Sequence, residues 1–293
     1  MSRIKSKTAD YSGFVLLSVI WGLAFVAIKQ ADSELSPVNL ALIRWFITSV
    51  VFLILLPIIG RPNIRFERRD VPRLLVVAMA NVAGYHIFLN SAETSISAGL
   101  SSLLIALGPV FMVILSVILL DERAGPKVVL GLLLAVSGTF VLSYGSFNPS
   151  DLSTVVGPAE AVLAAFCYAV FTVVGKPLVQ KYGSAPTTIL AGLAGTAMIV
   201  PLVSGSFVSQ VEGLTQLGWI SVLYLGVLSS ALGYLLYYGV VSRRTVSRLS
   251  IQLYLIPVVS VVGGVLLLGE SVTVLTIIGG AMMLFAVALT TRR

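Results

Sequence analysis

Leu107-Gly108-Pro109-Val110, leading to Leu119-Leu120-Asp121-Glu122, is echoed 148 residues later by Leu255-Ile256-Pro257-Val258, leading to Leu267-Leu268-Gly269-Glu270. Gapless superposition pairs Pro109 with Pro257, Glu122 with Glu270 and Gly131 with Gly279, besides a run of Leu and Val identities. Apolar matches are common in any apolar chain, so the prolines, glutamates and glycines carry the signal. An echo at one fixed offset near half the chain length marks an internal duplication. In membrane chains such a duplication is how many secondary transporters are built.

Composition puts the chain in a membrane. Hydrophobic residues make up 57% and charged residues 11% of 293 positions, against about a quarter charged in a soluble domain, and the mean hydropathy is +1.03. A single cysteine, Cys167, excludes an intrachain disulfide. The formal charge of +7 is spread in short basic clusters between apolar runs, which reads as membrane orientation and not as a nucleic-acid surface.

A spanning helix needs about 20 largely apolar residues. Ten runs meet that need: Ser12–Lys29, Pro37–Ile59, Val71–Ser91, Ala98–Leu120, Lys127–Tyr144, Val155–Val179, Pro186–Val203, Leu217–Val241, Leu249–Leu268 and Val274–Thr290. None alternates as a barrel strand does, so the predicted fold is an all-α integral membrane bundle of ten transmembrane helices. The first run has basic residues ahead of it but no clear small-residue cleavage site, and is read as a retained span. With the N-terminus inside, seventeen of the 19 Lys and Arg fall in cytoplasmic segments, and only Lys29 and Arg44 lie in or beside spans. The predicted outer loops carry Asp32, Glu34, Glu93, Asp151, Glu212 and Glu270. Both termini are therefore expected in the cytoplasm of a cytoplasmic (inner) membrane protein. Five spans per repeat is an odd number, so residues 12–145 and 155–291 are expected as inverted repeats around a central cavity. A tail at 1–11 and an outer connection at 146–154 complete the division. Opposed halves are the basis of alternating access.

These residues resemble a known family. Ser18-Val19-Ile20-Trp21-Gly22-Leu23-Ala24-Phe25-Val26-Ala27-Ile28-Lys29 is similar to the first-span signature of EamA-type members of the drug/metabolite transporter superfamily. Arg44-Trp45-Phe46 resembles that family's Arg-aromatic pair, the two Pro…Leu-Leu-x-Glu stretches its most repeated motif, and Gly233-Tyr234-Leu235-Leu236-Tyr237-Tyr238 its span-eight pattern. The second half departs from the pattern: Tyr168 stands where Trp21 does, and Arg44 has no counterpart. The resemblance implies that spans 1, 3, 4, 6, 8 and 9 enclose a cavity, with 2, 5, 7 and 10 outside it. Its motifs are mainly architectural and leave the substrate open.

Polar groups are costly in hydrocarbon, so those within spans are candidate site residues. Ser230, Tyr234, Tyr237 and Tyr238 share one face of span eight. Tyr238 suits an interfacial belt, and Tyr234 either lines the cavity or packs helices. Asn81 and Tyr85 share a stripe of span three, and His86, Asn90 and Glu93 share another. The second stripe either relays protons and gates, or is a hydrogen-bonded seam ending in a solvated Glu93. Trp21 and Phe25 offer a flat wall one turn apart, with Lys29 and its mate Lys176 as snorkelling anchors. Arg44 is expected in structural pairing or snorkelling on a peripheral span. Pro109 and Pro257 are expected helix breaks that free the carbonyls of Ile105 and Leu253. Ser101, Ser102, Ser250 and Gln252 are polar wall candidates near them, Glu160 is the carboxylate candidate of span six, and Tyr168 takes the place of Trp21.

No P-loop, acidic metal cluster or His/Cys ligand set is present in the sequence, so neither metal nor cofactor is expected. The reading that fits is a secondary transporter of a small neutral or zwitterionic metabolite, amino acid or nucleobase-like, working as an exporter, monomeric or homodimeric, with lipid and a small-molecule substrate as partners. The alternatives are a membrane-embedded enzyme, against which the scattered polar residues argue, and a non-transporting subunit, against which the tyrosines, asparagines and serines in the spans argue.

Overall fold

A computed structural model describes residues 2–55, 57, 66–120, 126–144, 153–241 and 246–291, with some helical side chains among them left undescribed. The described residues are helical, without strands. They form α1 (Ser2–Ala31), α2 (Pro37–Leu55), α3 (Val71–Ala78), α4 (His86–Ser95), α5 (Ala98–Ile105), α6 (Gly108–Leu120), α7 (Pro126–Tyr144), α8 (Ser153–Tyr182), α9 (Ser184–Ile199), α10 (Phe207–Glu212), α11 (Gln216–Leu223), α12 (Gly233–Val241), α13 (Val246–Leu268) and α14 (Val274–Thr291). Six helical stretches are long and apolar enough to cross a membrane: Pro37–Leu55, Arg68–Ser95, Ala98–Leu119, Thr154–Tyr182, Ser184–Leu202 and Gln216–Tyr237. Four shorter apolar helices, Val15–Ala31, Val129–Val141, Leu255–Leu268 and Val274–Ala286, lie at the remaining predicted runs.

Three local features depart from straight helices. Between α3 and α4, and again between α11 and α12, the chain makes π-helical turns over Met79–Tyr85 and Tyr224–Leu232. Such turns widen the backbone and are frequent at functional sites. The carbonyls around the second turn find partners on other helices: Trp21 Nε1 donates to Ser229 O at 3.0 Å and Thr48 Oγ1 to Gly226 O at 2.9 Å. The two prolines also behave differently. α5 ends at Ile105 and α6 begins at Gly108, so the break expected at Pro109 is present, whereas α13 runs through Pro257 as one helix. The expected break at Pro257 is therefore corrected.

Packing is reciprocal between the two halves of the chain. α1 packs on α13, and α8 on α5 and α6; α2 packs on the second π turn, and α9 on α3 and the first π turn; α7 and α14 pair with each other. A shift of about 148 positions turns the α1–α13 contact into that of α8 with α5 and α6, turns the α2 contact into the α9 contact, and exchanges α7 with α14. Residues related by that shift also bond to one another, Ser49 Oγ to Thr196 Oγ1 at 3.0 Å, and Tyr234 Oη to His86 Nε2 at 3.3 Å. Small residues permit the close crossings: a Cβ on Gly226 would lie 2.7 Å from Ile47, and one on Gly84 2.8 Å from the sulfur of Cys167.

The helix ends gather into two caps. At one, Glu34 accepts from Thr215 N and Oγ1 at 2.6 and 2.7 Å, and Glu270 accepts from Ala98 N and Gly99 N at 2.7 and 3.2 Å. Both carboxylates thereby satisfy the orphan donors that open α11 and α5. Gly269 turns the chain out of α13 with φ +67°, as a helix C-cap requires. The glutamate of the repeated motif is thus an architectural cap; its counterpart Glu122 lies outside the described residues. At the other cap, Lys181 pairs with Glu67 and Asp70 at 2.7 Å each, Tyr182 Oη donates to Asp70 at 2.5 Å, and Glu67 N donates to Tyr182 Oη at 3.1 Å. The Lys181 hydrogen bond holds Glu67 below the ordinary glutamate range. Between the caps the exterior is apolar, with Phe46, Ile54, Leu133, Phe140, Leu266, Leu267 and Phe285 all exposed. In water that surface would aggregate; in lipid it is matched.

Candidate transport site

The bundle holds a cavity of about 40 Å³ lined from both π-turn regions, bounded by Trp21, Phe25, Arg44, Tyr85, Tyr168 and Tyr234, with Ser102, Ser229 and Pro257 among the smaller neighbours. That is room for a few waters. α1, the α3–α4 and α11–α12 junctions, α5, α8 and α13 supply the walls as the resemblance implied, and α2 adds one residue that it did not imply.

That residue is Arg44. Snorkelling is corrected: the side chain is 3% exposed and turned inward. Nε donates to Ser230 Oγ at 2.7 Å and Nη2 to Ser229 Oγ at 3.0 Å, while Nη1 is buried without a partner. No ion pair joins Arg44 among the described residues. The two serines, held out by the π turn, fix the guanidinium with one edge open. Its position on a span expected to be peripheral hid it from sequence reasoning. Its sequence signal was a lone arginine deep in a predicted span; its serine partners were not legible there.

Aromatic rings make the rest of the wall. Trp21 stacks at a tilt on Tyr234 and Tyr237, with centroids 5.6 and 5.1 Å apart. Tyr168 Oη donates to Tyr237 Oη at 2.9 Å, and Tyr85 lies edge-on to His86 at 4.8 Å. These spacings fall in the range of favourable aromatic pairs. Ser102 donates to Gly99 O at 2.7 Å and borders the cavity.

The structure thus brings together Trp21, Phe25, Tyr85, Ser102, Tyr168 and Tyr234, with Pro257 between them and Ser230 one bond behind through Arg44. Asn81, although buried with Oδ1 unpartnered, is not among the cavity residues. Glu160 is half-buried and also apart from the cavity, as is Pro109, and Gln252 lies outside the described side chains. His86 sits behind Tyr234, with Nδ1 unpartnered. Asn90 Nδ2 donates to Pro37 O at 3.0 Å. Glu93 is wholly buried, which corrects its expected solvation. Lys29 does not snorkel either: Nζ donates to the backbone carbonyls of Glu93 and, at 2.9 Å, of Ile96. Lys176, its sequence mate, is exposed.

Comparison with known proteins places this geometry. The model of the EamA-like transporter family matches twice, over residues 11–144 and 157–292. The chain belongs to the EamA-like transporter family. Like other members it is a two-repeat membrane transporter and not an enzyme. It is 34% identical, over 95% of this chain and 97% of the relative, to an "Uncharacterized transporter" of Archaeoglobus fulgidus. It is 32% identical, over 95% and 92%, to a "Probable terminal-alkyne amino-acid exporter" of Streptantibioticus cattleyicolor. A "Probable amino-acid metabolite efflux pump" of Salmonella typhimurium is 26% identical over 92% of this chain and 90% of its own. A solved crystal structure superposes with a TM-score of 0.65 at 20% identity, covering 97% of this chain and 96% of that one, which supports the fold.

Proposed function

We propose that the protein exports a small zwitterion of the amino-acid type across the cytoplasmic membrane by alternating access. The observation that carries this reading is Arg44, a buried guanidinium whose Nη1 is unpartnered at the edge of an aromatic cavity. An uncompensated buried charge costs several kcal/mol, and an ionisable residue inside a membrane marks a functional site. A substrate carboxylate supplies the missing partner, and the faces of Trp21, Tyr85 and Tyr234 receive an ammonium and an apolar side chain. This favours amino acids over nucleobases, which bring no carboxylate. Two relatives named as amino-acid or amino-acid-metabolite exporters agree with the class and the direction.

The architecture we infer is ten spans in two inverted repeats, residues 12–145 and 155–291, with both termini in the cytoplasm. Its support is the reciprocal packing of the halves, the bonds between shift-related residues, and the basic segments that fall on one side. The Glu34 cap is then outer and the Lys181 cap inner. Side chains tie helix ends together at both caps, and alternating access requires such ties to part in turn.

Counterflow in proteoliposomes tests the reading with radiolabelled L-leucine as reference and L-leucinamide and 3-methylbutylamine as competitors. A charge-assisted bond of about 2 kcal/mol makes each carboxyl-less competitor roughly 30-fold weaker than leucine. Arg44→Lys loses the fork that meets the serines and the carboxylate together, and is expected to erase that preference. Equal competition by all three compounds in the wild type removes Arg44 from carboxylate recognition.

A further inference from the structure

Beyond the cavity, at the Glu34 cap, lie two buried carboxyl groups that no structural bond explains. Both oxygens of Glu93 and both of Asp32 are buried without a hydrogen-bond partner, and Glu93 is 0% exposed. Lys29 is close by, yet its ammonium is engaged by the backbone carbonyls of Glu93 and Ile96, and no ion pair within 4.0 Å joins it to either acid. The other two acids of this cap are committed elsewhere, Glu34 to Thr215 and Glu270 to the N-terminus of α5. The other titratable groups on the packed elements include Glu34, committed to Thr215, Arg44 on α2, Glu160, Cys167 and Tyr168 on α8, Tyr224 and Tyr234 beside α1, and Tyr85 and His86 towards the cavity, while Lys181 and Tyr182 of α8 belong to the opposite cap.

Two carboxylates in such a place cannot both stay ionised, because each needs hydrogen bonds or a cation that it lacks. Burial lifts Asp32, in the turn after α1, to about 8 against the opposing pull of Lys29. Glu93 also heads a stripe. Asn90 and His86 lie one and two turns away on the same face of α4, about 4.5 and 10.5 Å along the axis. Asn90 Oδ1 and His86 Nδ1 are buried and unpartnered as well, and His86 meets the cavity residue Tyr234 at 3.3 Å. A seam kept only for packing has no use for orphan polar atoms at three successive positions, since each costs about 1–3 kcal/mol.

We propose that Asp32 and Glu93 form a proton-binding site, opposed by Lys29, that couples proton movement to opening of this cap; the proposal rests on the transporter reading above. With both acids protonated, Lys29 ties α1 to the α4–α5 junction. Loss of a proton leaves a carboxylate that draws the ammonium off the two carbonyls and unties α1, the helix that carries Trp21 and Phe25. On rebinding, the proton re-forms the carboxyl O–H and frees Lys29 to close the cap. Each proton taken up on one side is released on the other as substrate crosses in the opposite direction.

The test uses full-length protein in proteoliposomes with pyranine in the lumen. Labelled leucine is followed first in counterflow at equal pH, then under an imposed pH gradient. Wild type is expected to accumulate leucine at least tenfold under the gradient, with a matching pyranine signal. Glu93→Gln and Asp32→Asn are expected to lower the ratio of gradient-driven accumulation to counterflow at least tenfold. No counterflow of any neutral amino acid in the wild type defeats the transporter reading itself. Counterflow with the same ratio in both variants, or accumulation driven by a sodium gradient without a pyranine signal, overturns the proton site alone. If a variant fails to insert, the paired measurement is proton release from detergent-solubilised wild type on leucine binding in weak buffer. There a pH change scaling with bound leucine supports the site, and none overturns it.

Discussion

Gly233 is where one methyl group should reach the cavity without touching it. A Cβ at Gly233 would lie 2.6 Å from Trp21 Nε1. Ordinary contact needs about 3.5 Å or more, so the indole must retreat by about 1 Å. Its bond to the Ser229 carbonyl, 3.0 Å in the native protein, then opens to roughly 4 Å and is lost. The lost bond costs about 1 kcal/mol. Displacement from Tyr234 and Tyr237, whose centroids lie 5.6 and 5.1 Å from the indole, forfeits about another 1 kcal/mol. Substrate binding must then draw the indole back to its wall position, and supplying that total of about 2 kcal/mol predicts roughly 30-fold weaker half-saturation for the transported amino acid in Gly233→Ala. Counterflow across a substrate titration, at matched expression, measures it. The double variant Trp21→Phe with Gly233→Ala should be no worse than Trp21→Phe alone, since phenylalanine presents no Nε1 edge to the new methyl. An unchanged half-saturation in Gly233→Ala would falsify the claim that Trp21 is held as a cavity wall by this contact.

Three further outcomes follow from the packing and the caps. A Cβ on Gly195 would overlap the Val82 side chain and lie 2.8 Å from Ala78 O, whereas one on Gly205 meets nothing within 4 Å; Gly195→Ala should lower the melting temperature in detergent, at about 1–3 kcal/mol, and Gly205→Ala should not. Tyr168→Phe deletes the 2.9 Å bond to Tyr237 and should cost about 1 kcal/mol, read as an earlier thermal transition. Asp32, raised by burial to about 8 from an ordinary value of 3.8, keeps its proton when folded over a range in which the unfolded chain has released it, so native stability should fall as pH rises between those values and level off above; Asp32→Asn should flatten that slope in melting scans, and an unchanged slope would show that another group sets it.

The duplication, the helical class and the approximate limits of the apolar runs were legible because spanning helices need length and apolarity, and both are local in sequence. Trp21, Tyr85, Tyr168 and Tyr234 could be marked as wall residues because aromatic and hydroxyl groups within spans have few bland uses. What stayed hidden depends on where helices sit relative to one another. Lys29 looked like an anchor until the Glu93 and Ile96 carbonyls were found at its tip, and Glu93 looked like a loop residue until its burial was known. Arg44 could be placed only with the π turn that turns Ser229 and Ser230 towards it, and a π turn leaves no mark in hydrophobic periodicity. Pro257 misled in the opposite direction, since a proline can be carried inside a continuous helix when neighbouring groups accommodate it.

The packing of α1 on α13 has a consequence for synthesis. Some 215 residues separate the end of α1 at Ala31 from the start of α13 at Val246. At roughly 5–20 residues per second, about 10–40 s pass between the emergence of the two helices from the ribosome. Throughout that interval α1 waits in the bilayer without its main neighbour, and the Trp21 indole N–H gains its Ser229 carbonyl only when the eighth apolar run is made. Nascent chains of this protein therefore carry their first helix as a free lodger, open to insertion factors and to quality control until the ninth apolar run arrives.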